Sequence, residues 1–366
     1  MAPRMIDEKD AAILNILQEG IDLVERPFQA IGERAGLTEE EVMARIAELK
    51  NGTIRQISAI FDTRTLGYSS SLVAARIAPE RLDEAAAIIN RHPGVTHNYK
   101  RNHSFNLWFT LAVPPNSRLG LEETTRILGE QAGVEAIRML PTLKLFKIGV
   151  NLDMSGKQDL TKTKAAPQYR EEDRSQASRV VTEQDIRMIR ELQKDLPIVP
   201  RPFDQWAANA GVTVQELLEG ARAFVEKKQM RRYSAVLNHR KAGYTANGMG
   251  VWVVPPERTD EVGYRMAEFK AVSHCYLRPV YEDWPYNIFT MVHGRSVDEC
   301  ESILQAIEDE TGIRERITLY STKEYKKTRV SYFTPEMDAW EDEVIRHGGA
   351  GTAAAEGEMG YATGKN

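Results

Sequence analysis

The sequence predicts an α+β protein built as two tandem copies of one unit, and three observations carry that prediction. First, the chain repeats itself. Arg26-Pro27-Phe28 returns as Arg201-Pro202-Phe203, and Ala35-Gly36-Leu37-Thr38 returns as Ala210-Gly211-Val212-Thr213. Val95, His97, Tyr99 and Arg101 return as Val272, His274, Tyr276 and Arg278. The separation drifts by single residues, as small loop insertions produce. Second, each copy opens with apolar residues at helical spacing and continues in alternating, β-rich segments. Third, 366 residues suffice for two to four domains at about 100–200 residues each.

The elements follow in order. Ile13, Leu14 and Leu17, echoed by Met188, Ile189 and Leu192, mark a first helix. Ile31 to Ala35 continues as a second, Gly36 turns the chain, and Thr38 caps a third that carries Val42, Ile46 and Leu49. Glu41, three residues after Thr38, completes a capping box. With Ile54 to Phe61 alternating behind it, this is a winged helix-turn-helix. Strands are then expected at Leu72 to Ile77, Thr96 to Tyr99, Asn106 to Val113 and Ile137 to Ile148, and helices at Leu82 to Asn90 and Leu121 to Gln131. Strand–helix–strand–strand–helix–strand is a ferredoxin-like βαββαβ unit. The second copy reads the same way through Met249 to Val254, Val262 to Glu268, His274 to Arg278, Asn287 to His293, Val297 to Glu310 and Arg316 to Tyr325. The predicted domains are 1–60 and 179–236 for the helix-turn-helix units and 61–154 and 237–335 for the ferredoxin-like units. Residues 155–178 read as a polar linker, and 336–366 as a partly disordered extension.

Composition excludes several classes. The net charge is −5 with 48 Lys plus Arg against 53 Asp plus Glu, which argues against a basic nucleic-acid coat. Two cysteines, Cys275 and Cys300, form neither a disulfide framework nor a CxxC motif. No apolar run approaches the ~18 residues of a membrane span. The charged stretch Met1 to Asp10 is not read as a secretory signal, and the expected compartment is cytoplasmic.

The stretch Leu37-Thr38, Arg45-Ile46, Leu49, Ile54 and Leu66-Gly67-Tyr68 resembles the N-terminal pattern of the Lrp/AsnC transcription regulators. The third helix departs from it: of the residues read as exposed, Glu39, Glu40, Glu41 and Glu48 outnumber Arg45 and Lys50, and the second copy is at best balanced. Each phosphate contact needs a Lys or Arg, so DNA binding is not expected. The segments His97 to Phe109, Leu237 to Tyr244 and Ser273 to Gly294 instead resemble the siroheme decarboxylases, an Lrp-like family of two related subunits that would be fused here. That resemblance implies removal of the C12 and C18 acetate carboxyls of siroheme to give 12,18-didecarboxysiroheme, in heme d1 or alternative heme synthesis. A ligand-responsive Lrp/AsnC-type regulator is the second reading.

Residue chemistry fits a flat iron tetrapyrrole edged with carboxylates. Alternation along a strand places His97, Tyr99 and Arg101 on one face, and His274, Tyr276 and Arg278 repeat that face. His and Arg four positions apart span roughly 13 Å, on the order of the macrocycle's width. Arg pairs bidentately with carboxylates, and His has a proton affinity suited to delivering a proton near neutrality. The expected catalytic residues are His97, His103, His239 and His274, with His239 or His274 as ligand to the substrate iron. Tyr99, Arg101, Arg240, Lys241, Tyr276, Arg278 and Trp284 are expected to bind substrate. No metal of the protein's own and no cofactor beyond the tetrapyrrole substrate are expected. The halves are expected to pair with each other, with homodimerisation left open. Trp108, Phe109 and Phe289 read as core, and His293 as the end of an apolar strand.

Overall fold

The computed structural model describes residues 6–148, 180–237 and 246–347. Three helices open the first half: α1 (Glu8–Glu19), α2 (Pro27–Ala35) and α3 (Glu39–Leu49). Asp7 caps α1 by accepting from Asp10 N at 2.8 Å, and Pro27 starts α2 where a missing N–H costs nothing. Gly36, at φ +69°, ends α2 in the left-handed region that a side chain would strain. Thr38 caps α3 through Glu41 N at 3.2 Å. The capping box is only half formed, because the Glu41 carboxylate is drawn to Lys9 (2.8 Å) and Arg45 (3.3 Å). The second half repeats this with α6 (Glu183–Leu192), α7 (Asp204–Ala210) and α8 (Val214–Glu226), where Thr213 and Glu216 do close the box.

The strand read as a wing finds its partner in the other half of the chain. β1 (Ile54–Phe61) pairs antiparallel with its own repeat counterpart, β7 (Met230–Leu237), with Ser58 opposite Ser234. The two helix-turn-helix units therefore share one core, in which Phe28, Val42 and Ile46 join Phe203, Leu217 and Phe224.

The first ferredoxin-like unit contains β2 (Ser69–Arg76), α4 (Leu82–Asn90), β3 (Val95–Arg101), β4 (Leu107–Val113), α5 (Gly120–Ala132) and β5 (Ala136–Leu140). The segment Ile137 to Ile148, expected as one strand, is two. Pro141, which cannot donate to a ladder, falls between β5 and β6 (Lys144–Ile148). The second unit contains β8 (Ala246–Trp252), α9 (Thr259–Glu268), β9 (Val272–Leu277), β10 (Ile288–Gly294), α10 (Val297–Thr311) and β11 (Arg316–Lys327). β6 leaves its own half to pair with β9. β11 does the reciprocal: its start pairs with β8 and its end with β3. The order β5-β2-β4-β3-β11-β8-β10-β9-β6 is thus antiparallel throughout and woven from both halves.

In each half of this nine-stranded sheet one face carries that half's own helices. The other two faces meet, burying Phe105, Trp108, Met249, Val251, Trp284, Phe289 and Leu319 between them. Each such side chain contributes about 1.5–3 kcal/mol of burial, so the halves are held as one body. Residues expected to be partly disordered include a docked helix, α11 (Pro335–Arg346). Its buried Glu341 accepts from Arg118 N at 3.1 Å, and its Trp340 ring lies 4.3 Å from His92. The expected linker 155–178 and the tail after His347 lie outside the described residues.

Candidate active site

Between the two halves of the sheet lies a cavity of about 1230 Å³. Its walls carry the repeated triads: His97, Tyr99 and Arg101 from β3, and His274, Tyr276 and Arg278 from β9 and the residue beyond it. Alternation along the strand delivers them, while Asn98 on the opposite face of β3 donates to Asn90 at the end of α4 at 2.9 Å.

The two arginines are each anchored on a backbone carbonyl of the other half. Arg101 Nη1 donates to the Leu319 carbonyl of β11 at 2.9 Å, and Arg278 Nη1 donates to the Leu140 carbonyl of β5. Each guanidinium therefore reaches into the other half and is oriented by it. Each also keeps a buried Nε without a hydrogen-bond partner, and among the described residues no carboxylate pairs with either. Burial pushes both guanidinium groups down to about 10, still charged at neutral pH. A buried, partly unsatisfied cation is costly, and an incoming carboxylate removes the cost. Lys323 and Lys327 add positive charge to the wall, against Glu122 and Glu324.

The histidines are set differently in the two halves. His97 Nδ1 lies 3.1 Å from Thr96 Oγ1, which lies 2.8 Å from Thr110 Oγ1. His274 Nδ1 lies 2.8 Å from Ser273 Oγ, which lies 2.7 Å from His293 Nε2, and His293 Nδ1 reaches Asn247 Oδ1 at 2.6 Å. Desolvation by burial lowers His97 below the usual histidine range and pushes His274 and His293 down to about 4. Tyr99 is pushed up to about 12, first by burial and then by Glu324.

Two expected site residues are not brought to the cavity wall. His103 sits in the β3–β4 turn, its Nδ1 accepting from Phe105 N at 3.0 Å, and its ring packs edge-on against Trp284 at 5.4 Å. Trp284 is 1% exposed, wedged among Phe105, Trp108, Tyr286 and Phe289. Hairpin ends of the two halves meet there, so these rings seal the core between the two halves of the sheet. His239, Arg240 and Lys241 lie outside the described residues. His293 and Asn247, which the sequence did not single out for the site, do line the cavity. Their signal was present: each is a polar residue on the inner face of a strand otherwise rich in apolar or small residues.

The third helix is also different from its sequence reading. Glu39 is buried against Arg26, not exposed. Arg45 is spent on Asp7 (2.9 Å), Asp10 (2.9 Å) and Glu41.

Fold and cavity together define a tandem, AsnC-type ligand-binding protein whose chamber suits a large polyanion. A profile described as an AsnC-like ligand-binding domain matches residues 65–147 and 241–326. One described as a siroheme decarboxylase NirDL-like HTH domain matches residues 10–55 and 185–231. A siroheme decarboxylase of Hydrogenobacter thermophilus is 40% identical over 91% of this chain and 97% of its own length. A siroheme decarboxylase beta subunit of Methanosarcina barkeri is 42% identical over 40% of this chain and 96% of the subunit. The crystal structure of the siroheme decarboxylase NirDL in complex with an iron-uroporphyrin III analogue matches with a TM-score of 0.74 at 35% identity, covering 93% of this chain and 99% of that one. The chain belongs to the siroheme decarboxylase family.

Proposed function

We propose that this chain is a siroheme decarboxylase whose substrate lies in the cavity between the two halves of the sheet, with one triad at each end. The observation that carries the reading is the pair of buried arginines, each anchored on a carbonyl of the opposite half and each with donors to spare. Arg101 and Arg278 grip carboxylates that stay, and Tyr99 and Tyr276 flank the ring. His97 and His274 face the reacting edge and the iron; His239, Arg240 and Lys241 belong to the same proposal. An acetate held away from those arginines, desolvated and unpaired, is raised in energy. Its C–C bond to CO₂ breaks, the electron pair passes into the macrocycle, and a proton delivered by histidine leaves a methyl group. Repeating this at C12 and C18 gives 12,18-didecarboxysiroheme. The reaction is then that of a carboxy-lyase and uses no cofactor beyond the iron tetrapyrrole.

The anchoring of each arginine across the halves accounts for a need for two related halves: neither keeps its anchor without the other. This supports reading the chain as a fusion of two partner subunits. No helix among the described residues is long and apolar enough to cross a membrane, in keeping with the cytoplasmic assignment we propose.

Substrate binding is expected to take up protons. In the free protein His97, His274 and His293 sit below their ordinary values and are neutral at pH 7. A bound polycarboxylate stabilises the charged form of His97 and raises its value, so a proton binds with the ligand and affinity rises as pH falls from 8 to 6. Calorimetric titration in two buffers of different ionisation heat measures this. Net proton release at pH 7 would contradict it.

Duplex DNA binding is expected to be weak, because the Arg45 charge is already neutralised within its own unit. Titrating the protein with siroheme and, separately, with duplex DNA separates the two readings. A saturable tetrapyrrole spectrum without a DNA shift supports the enzyme. A salt-sensitive, sequence-specific shift at nanomolar protein with no tetrapyrrole spectrum supports the regulator.

A further inference from the structure

The polar chain behind His274 has a direction. Asn247 Oδ1, a carbonyl oxygen, only accepts, so His293 Nδ1 at 2.6 Å carries the hydrogen. A neutral imidazole with a hydrogen on Nδ1 has a lone pair on Nε2. His293 Nε2 therefore accepts from the Ser273 hydroxyl at 2.7 Å, a shorter path for that single hydrogen than the Met291 carbonyl at 3.3 Å. Having donated its hydrogen, Ser273 Oγ accepts from His274 Nδ1 at 2.8 Å. The remaining nitrogen of His274, Nε2, then presents a lone pair to the cavity that His274 lines.

We propose that His293 is a positioning residue which, with Asn247 and Ser273, fixes His274 in the Nδ1–H tautomer and so presents an unprotonated Nε2 as ligand to the substrate iron. The first half lacks the device. In the strand register Ala112 stands where His293 does, and the chain behind His97 ends in the hydroxyls of Thr96 and Thr110. Hydroxyls rotate and can donate or accept, so the His97 tautomer is not dictated. The pseudo-equivalent histidines thus divide the work: His274 holds the iron, and His97, free to exchange a proton, serves the leaving carboxylate. The iron assignment rests on the functional reading above; the tautomer does not.

The test uses the full-length chain labelled with ¹⁵N-histidine. Long-range ¹H–¹⁵N correlation gives each ring's tautomer, and His274 is assigned by its loss in His274→Ala. We expect Nδ1–H for His274 in the parent and a shift toward Nε2–H in His293→Ala. With iron uroporphyrin as the probe, His293→Ala is expected to bind about 10–100-fold more weakly and to lose the ligand-bound Soret position. His293→Gln, which keeps an acceptor for Ser273, is expected to retain both. Should His293→Ala not fold, Asn247→Ala at an exposed position reads the same tautomer shift. An Nε2–H tautomer in the parent, or a His274 tautomer unmoved by these substitutions, overturns the proposal. Failure of the parent to bind iron uroporphyrin overturns the functional reading and leaves the tautomer measurement to decide this one.

Discussion

Replacing His97 with alanine is expected to slow CO₂ release by about 10²–10⁴-fold while siroheme still binds, the range seen when a positioned general acid is removed. Its geometry motivates the assignment. His97 lines the cavity, and its Nδ1 is backed by two hydroxyls in series. Proton delivery to the nascent methyl group is required in every turnover, so the loss falls on turnover rather than on affinity. Single-turnover CO₂ release together with a spectral binding titration separates the two. A variant with parental turnover, or one that fails only in binding, would remove His97 from this role.

Arg101→Ala or Arg278→Ala is expected to act in the opposite way, weakening siroheme binding by roughly 10- to 150-fold, equivalent to the 1.5–3 kcal/mol of a charge-assisted contact. The effect should be similar for the two, because the arginines are set alike. Each donates across the pseudo-twofold to a strand carbonyl of the other half, Leu319 of β11 or Leu140 of β5. Lysine at either position keeps the charge but not the fork, so Arg101→Lys should recover part of the affinity. Equilibrium titration followed at the Soret band measures all three. Parental affinity in both alanine variants would show that carboxylates are held elsewhere on the wall.

The repeat was legible because both copies keep the same residue types at nearly the same spacing. The triads were legible for a similar reason: alternation is a local property, and His97, Tyr99 and Arg101 declare one face wherever their strand lies. What the sequence could not show was pairing at a distance. Nothing local in Lys144 to Ile148 says that these residues leave their own half for β9, or that β1 seeks β7. The anchoring of Arg101 on Leu319 was invisible for the same reason. His293 and Asn247 become a pair only once β8 and β10 are in register. The packing of His103 against Trp284 was not legible, because an aromatic or imidazole side chain beside a repeated triad reads as site or as core alike. Only the meeting of two hairpin ends buries them together. The helix at Pro335–Arg346 had a periodic signal in Met337, Trp340 and Val344, obscured by the Gly/Ala-rich tail that follows.

Anaerobic incubation of the intact chain with siroheme, followed by mass spectrometry of the tetrapyrrole, tests the central claim most directly. The account predicts conversion to a product that has lost two molecules of CO₂ with the macrocycle and iron retained. Siroheme recovered unchanged after spectroscopically verified binding would contradict it.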